Sequence, residues 1–396
     1  MDGEYASSNK PAASLGRPPV ILQVVPSLVT GGVERGCIDV AQAIAQAGGI
    51  GVVASAGGPM ARELERWNVP HVTLPLSSKN PWTIWRNAAR LAEVIRHYDV
   101  DIVHARSRAP AWSALWAARR TDRHFMTTFH APYNFKSALK RRYNSVMARG
   151  ERIIAISSFI RDHILQNYAV DPAIVRVIPR GIDLGAYAPD RVARHRLADL
   201  ATRWRLPDDR PIILLPGRLT RWKGQMVMLE ALAKLGRRDL CCLFVGSDQG
   251  RIAYRQELMA RIAELGLDDV VHLVDECHDM PAAYMLANVV VSASTEPEAF
   301  GRVIVEAQAM GRPVIVTDHG AVAETVDPGV TAWVVPPGDS ASLAEALAQA
   351  LAIDDDQRAI LGARGMAHVA MRFTKERMTG DTLSVYTELL AETTRL

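Results

Sequence analysis

Two glutamates, Glu298 and Glu306, stand eight positions apart in the stretch EPEAFGRVIVEAQAMGRPVIV, residues 296–316. The first lies among Pro297, Ala299 and Gly301, a loop composition. The second lies in a run of helix formers that stops at Gly311, with Pro313 just beyond. The pattern predicts a strand NVVVSAS (288–294), a loop over 295–300, a helix over 301–310 and a further strand at 313–317. Following Phe300, the first amides of that helix, at Gly301, Arg302 and Val303, have no acceptor within the helix. Together with the helix dipole they favour a phosphate. A carboxylate beside a diphosphate repels phosphate but accepts bonds from sugar hydroxyls, the role expected of Glu298. Glu306, farther along, is placed to accept two bonds from vicinal hydroxyls such as a ribose offers. Spacing alone leaves a pair of surface glutamates as the alternative.

Cations converge on the same region. LLPGRLTRWKGQ (214–225) puts Arg218 and Lys223 in a Gly-flanked loop after a strand. Arg can clamp phosphate oxygens with two bonds, and Lys adds a mobile point charge. Such cations can neutralise a leaving diphosphate in place of a metal ion, and no cluster of metal ligands is apparent in the sequence. In the first half, VPSLVTGGVERG (25–36) links a strand to a helix, so the Gly31 and Gly32 amides can face a phosphate. The loop is not GxGxxG, which argues against a dinucleotide fingerprint. TTFHAPYN (127–134) sets His130 just past a strand end.

These residues need elements to hold them. Short β-branched runs at 19–25, 50–55, 100–105, 124–129, 152–157 and 175–187 alternate with amphipathic segments such as 33–47, 81–97 and 135–148. The alternation restarts at 211–217, 240–246, 270–274, 288–294 and 312–318. Repeated βαβ units of this kind predict an α/β chain with two doubly wound parallel sheets, whose ligands bind beyond the strand ends. The expected architecture is two facing Rossmann-like domains with a cleft between them. The expected divisions are a disordered tail at 1–17, a first Rossmann-like domain at 18–188, an Arg-rich linker at 189–210 and a second Rossmann-like domain at 211–373. A helix at 374–396 closes the chain.

Together these features resemble the retaining glycosyltransferases of family 4, which have the GT-B fold. The likeness covers nearly the whole chain beyond the tail. It is carried by the E-x7-E pair, GRLTRWKGQ, VIPRGID, AMGRPVIVTDHGAVAETV and the early Gly-Gly loop. The resemblance implies that Arg218 and Lys223 hold the donor diphosphate, Glu306 grips the ribose and Glu298 contacts the donor sugar, with His130 near its reacting face. It implies a UDP- or GDP-sugar donor, no metal, front-face attack assisted by the leaving phosphate, and a C-terminal helix crossing back to the first domain. Two positions depart from the family pattern. Arg180 stands where Asn is usual and Arg302 where Leu is common, and both add positive charge near the donor or an acidic acceptor.

Charge is unevenly divided. Residues 1–190 carry 23 Lys and Arg against 15 Asp and Glu, a balance of +8, whereas residues 191–396 carry 23 against 28, a balance of −5. The asymmetry reads either as one domain facing an anionic partner or as an uneven spread of solvated charge. The segment 134–152, NFKSALKRRYNSVMARGER, spaces Phe135, Leu139, Tyr143 and Val146/Met147 helically beside Lys136, Lys140, Arg141, Arg142 and Arg149. It reads either as a helix lying on an anionic inner-membrane surface or as a surface helix packed on the sheet. No run reaches the length of a membrane span, and the polar N-terminus is no secretory signal, so a cytoplasmic location is expected. Cys37, Cys241, Cys242 and Cys277 lack CxxC spacing and read as reduced core residues. A modest pI near 8.7 without an aromatic–basic motif argues against nucleic acid. The leading expectation is transfer of a sugar to a lipopolysaccharide- or exopolysaccharide-type glycan or a lipid-linked acceptor. A nucleotide-sugar epimerase or a non-catalytic nucleotide-sugar-binding module on the same fold are the alternatives.

Overall fold

Near-continuous apolar runs such as VILQV at Val20–Val24 and CCLFV at Cys241–Val245 are buried along their whole length, as strands covered by helices on both faces must be. The computed structural model describes residues 17–29, 31–133, 135 and 137–393. Of the expected tail, residues 1–16 lie outside the described residues, as do Asn134 and Lys136 of the basic segment.

Among the described residues, thirteen strands form two sheets, parallel throughout. The first contains β1 (Val20–Val24), β2 (Ile50–Ser55), β3 (His71–Thr73), β4 (Ile102–Ala105), β5 (His124–Phe129), β6 (Arg152–Ala155) and β7 (Val175–Val177), in the order β3-β2-β1-β4-β5-β6-β7. The second contains β8 (Ile212–Pro216), β9 (Cys241–Val245), β10 (Val271–Val274), β11 (Val289–Ser292), β12 (Val314–Thr317) and β13 (Ala332–Val335), in the order β10-β9-β8-β11-β12-β13. Strand order reverses between β1 and β4 in one sheet and between β8 and β11 in the other. Connections leave in opposite directions at such points and open a crevice at the strand ends.

The chain divides into two compact units. One runs up to Gly181 and resumes at Lys375; the other is Ile182–Thr374. The last helix, Lys375–Thr393, packs Met378, Val385, Tyr386, Leu389 and Leu390 against Ile21, Val40 and Ile44 of the first unit. Its Glu388 pairs with Arg152 and Arg176. The stretch 189–210, expected as a linker, instead contains a helix, Arg194–Trp204. Its Leu197, Leu200 and Trp204 cover the second unit's core. An apolar stripe hidden in an Arg-rich sequence is enough to fold it.

The segment 134–152 also differs from a membrane-lying helix. Only Ala138–Asn144 is α-helical, followed by a 3-10 turn at Ser145–Arg149. Phe135 stacks on His163, and Val146 and Met147 are fully buried. Most of its apolar face is used inside its own unit, and Leu139 alone of that set points to solvent. No helix among the described residues is long and apolar enough to cross a membrane. The four cysteines are free thiols, three of them buried.

Candidate functional site

In the second unit the predicted residues gather at the β8–β11 switch point. The loop after β8 carries Arg218 and Lys223; the loop after β11 carries Glu298 and leads into the helix Arg302–Ala309. The two loops are stitched together, Thr295 N–H donating to Trp222 O at 2.7 Å. Gly224 makes this possible: its φ is +75°, and a Cβ there would overlap the Ala293 carbonyl. Gly301 turns the chain into the helix at φ 81°. The amides of Gly301, Arg302 and Val303 have no acceptor among the described residues, the first acceptor–donor contact of the turn being Ile304 N–H to Gly301 O. These are the free donors a phosphate needs. Phe300 is buried with its ring edge-on to Phe373, leaving only its backbone for a ligand.

The charged residues are brought together but already paired. Lys223 Nζ donates to Glu298 Oε1 at 2.7 Å, both side chains nearly buried. Ser294 and Ser292 hydroxyls donate to the same oxygen at 2.5 and 3.3 Å. Burial pushes the Glu298 carboxyl up, but the Lys223 charge and these bonds outweigh it, so the group is held below the usual carboxylate range. Glu298, expected beside the diphosphate as an acceptor for sugar hydroxyls, has one oxygen engaged by Lys223 and the two serines. Glu298 also orients one of those cations. Arg218 is exposed, with a long contact to Gln249 and no ion pair among the described residues.

Glu306 is 6% exposed and both its oxygens are engaged. Arg302 Nε donates to Oε1 at 2.6 Å, the i,i+4 spacing of one helix face, and Tyr284 OH donates to Oε2 at 2.9 Å. A carboxylate has about four lone-pair positions, so about two remain for a ligand. Arg302, expected to add positive charge near the donor or an acidic acceptor, is paired with Glu306. Burial and the Glu306 charge also push up the phenols of Tyr187 and Tyr284.

In the first unit the β1–β4 switch point brings together Gly31, Gly32, Arg106, His130 and Arg180. Gly31 caps the helix Gly32–Gln46, and the Arg180 guanidinium occupies the space a Cβ on Gly32 would need. Arg180 Nη2 donates to His130 Nδ1 at 2.9 Å, which fixes the proton on Nε2. That Nε2 is buried without a partner among the described residues. Arg106 is 4% exposed, bonded at Nη1 to Gln23 at 3.0 Å, with no ion pair among the described residues. Sequence reading missed Arg106, although it stands just past β4 as His130 stands just past β5. It also missed Tyr187, Tyr284, Ser292 and Ser294, which announce nothing until the sheet is built.

His130 and His104 are both held neutral. Burial is the main cause for each; Arg180 and then Arg106 and His104 add to it at His130, and Arg106 at His104. Folded imidazoles with depressed pKa leave the unfolded chain binding more protons in acid. Stability is therefore intact above about pH 6.5, the unfolded imidazole value, and lost as pH falls below it. Arg180→Asn removes one repelling charge, so His130 should titrate closer to its ordinary value and the acid-side loss should become shallower. Thermal melts between pH 5 and 8 test this, and an unchanged slope would contradict the placement of Arg180.

Two family descriptions match the chain: "Glycosyltransferase Family 4" over residues 30–186 and "Glycosyl transferases group 1" over 199–366. A solved glycosyltransferase from Rickettsia africae is 38% identical, covers 94% of this chain and is itself covered to 99%, with a TM-score of 0.87. HepE from Anabaena, solved with UDP and glucose, shares the fold at 24% identity and a TM-score of 0.80, over 93% of this chain and 99% of its own. The D-inositol 3-phosphate glycosyltransferase of Saccharomonospora viridis is 32% identical over 62% of this chain and 57% of its own. Across such curated relatives the match spans little more than half their length. With two GT-B-type Rossmann-like units, a family match in each and a relative matched end to end, the chain belongs to the family 4, group 1 glycosyltransferases.

Proposed function

We propose that this protein transfers a sugar, with retention of anomeric configuration, from a UDP-sugar or GDP-sugar to an envelope glycan or lipid-linked acceptor. One observation carries the reading. Three acceptorless amides at Gly301–Val303 share a strand-end crevice with Arg218 and Lys223. That set of donors suits a diphosphate, and the Glu306 carboxylate on the same helix suits the adjoining ribose. The binding of UDP and of UDP-glucose by HepE supports a uridine donor. The relatives named for D-inositol 3-phosphate make a phosphorylated polyol the acceptor class to test beside lipid-linked glycans. Arg218 and Lys223 supply the positive charge a metal would bring, and no group of three metal-ligating side chains is present among the described residues.

Thermal-shift screening and calorimetry with nucleoside diphosphates and their sugars test this, because a ligand selective for the folded state raises the melting temperature. UDP or GDP should stabilise the protein, and transfer should survive excess chelator. An absolute need for a divalent ion, or no stabilisation by either nucleotide, would sink the assignment.

A further inference from the structure

Three large aromatic side chains are left in solvent on the outer face of the first unit. Trp82 is 64% exposed, Trp85 50% and Trp116 37%. They come from two neighbouring helices, Pro81–Tyr98 and Arg108–Thr121, which are fastened side by side by the Ser113 hydroxyl bonding Ile84 O at 2.7 Å. Trp82 and Trp85 stack on one another with centroids 5.1 Å apart. Between the helices runs an open groove of about 370 Å³ lined by Trp85, Ala88, Trp116, Arg119 and Arg120. No carboxylate lines it. Arg86, Arg119 and Arg120 are exposed and make no ion pair among the described residues. The ladder continues inward through Trp112, whose ring lies under Arg149 and whose indole N–H bonds Tyr143 O. Beyond it stand the exposed Leu139, Lys140, Arg141 and Arg142.

The exposed indoles leave apolar surface in water, the guanidinium groups between them are free to meet anions, and the combination suits a bilayer interface. Indoles settle at the headgroup level of a bilayer, arginines lay their stems along apolar surface while their heads meet lipid phosphates, and anionic lipid adds attraction for each cation. We infer that the groove and tryptophan face of the helices Pro81–Tyr98 and Arg108–Thr121 is a docking surface for an anionic phospholipid bilayer. This deepens the proposed function, since it would bring the first unit to a lipid-linked acceptor. The helix Pro81–Tyr98 begins beyond the end of β3, so Trp82 in its first turn stands toward the strand-end edge that carries His130. A nucleic acid is the less fitting occupant. Base recognition needs free ring faces, and Trp82 and Trp85 already cover one face of each other.

The test is sedimentation with vesicles of mixed phosphatidylglycerol and phosphatidylcholine, beside vesicles of phosphatidylcholine alone, with indole emission followed in parallel. Binding should be confined to the anionic vesicles, weaken with salt and carry a blue shift. Trp82→Ala/Trp85→Ala should weaken binding and diminish the shift, Trp116 reporting what remains. Arg119→Glu/Arg120→Glu should weaken binding by at least roughly 30-fold. Both double variants should keep the native melting profile and native affinity for UDP, because neither touches the second unit. The docking inference falls if phosphatidylcholine vesicles bind equally, if either folded variant binds like the native protein, or if an RNA oligomer binds more tightly than the anionic vesicles. Failure of the native protein to bind either UDP or GDP would instead count against the proposed function, so the two ideas fail separately.

Discussion

Lys223→Met should lower the transfer rate on the order of 10²- to 10³-fold and destabilise the fold by about 3–5 kcal/mol. The first effect follows from the proposed function, in which Lys223 is one of two cations expected to neutralise the leaving diphosphate. The second follows from the structure: Lys223 is the only cation bonded to Glu298 among the described residues, and Glu298 is 9% exposed. With Lys223 gone, burial dominates at Glu298 and its carboxyl shifts upward instead of downward. In the native protein the depressed Glu298 contributes stability that is present above the unfolded carboxyl value and lost as pH falls through the folded one. In the variant the charged carboxylate is a burden at neutral pH, relieved when it protonates. The gap in melting temperature between the two proteins should therefore be widest near pH 7 and close toward pH 4. Lys223→Met/Glu298→Met should recover most of the stability, because an apolar pair of similar volume replaces a buried ion pair at little cost. It should remain inactive. Recovery of transfer by the double variant would show that the pair only holds the loops together.

The alternation of apolar runs made most of the fold legible. β3 and β13 were not, and both are sheet-edge strands of three and four residues that are only partly buried. An edge strand has one hydrogen-bonding neighbour and need not be apolar on both faces, so HVT between prolines resembles a turn. The helix at Arg194–Trp204 was hidden for a related reason: its stripe of Leu197, Leu200 and Trp204 is diluted by arginines.

At the site, positions were legible and partnerships were not. A cation or carboxylate just past a strand end can be read from sequence, because parallel strands all end on one edge. Which cation meets which carboxylate depends on how loops cross. Lys223 and Glu298 are 75 residues apart and joined by a bond that no local pattern announces. Arg302 and Glu306 have the i,i+4 spacing that favours pairing, although from sequence Arg302 reads only as positive charge near the donor or an acidic acceptor. Tyr284 reaches Glu306 from the helix Met280–Leu286, which carries no nucleotide-site signature at all.

Glu306→Ala should lower affinity for UDP by about 10- to 100-fold while leaving affinity for pyrophosphate nearly unchanged. Two of the carboxylate's lone-pair positions are filled by Arg302 and Tyr284, and the ribose hydroxyls are expected at the rest. Each charge-assisted bond lost costs roughly 1.5–3 kcal/mol. On the proposed function the ribose is gripped equally in ground and transition states, so donor KM should rise more than kcat falls. Arg302 and Tyr284 hold the carboxylate in place, and their roles separate from its own by the same pair of ligands. Arg302→Leu keeps the acceptor but frees it to move, and should weaken UDP by less than Glu306→Ala does while lowering the melting temperature, because a buried carboxylate loses its cation. Calorimetry with UDP and pyrophosphate on both variants decides the matter. If Glu306→Ala weakens the two ligands equally, the carboxylate serves the helix start and its amides rather than a ribose, and the orientation of the donor in the β8–β11 crevice must be redrawn.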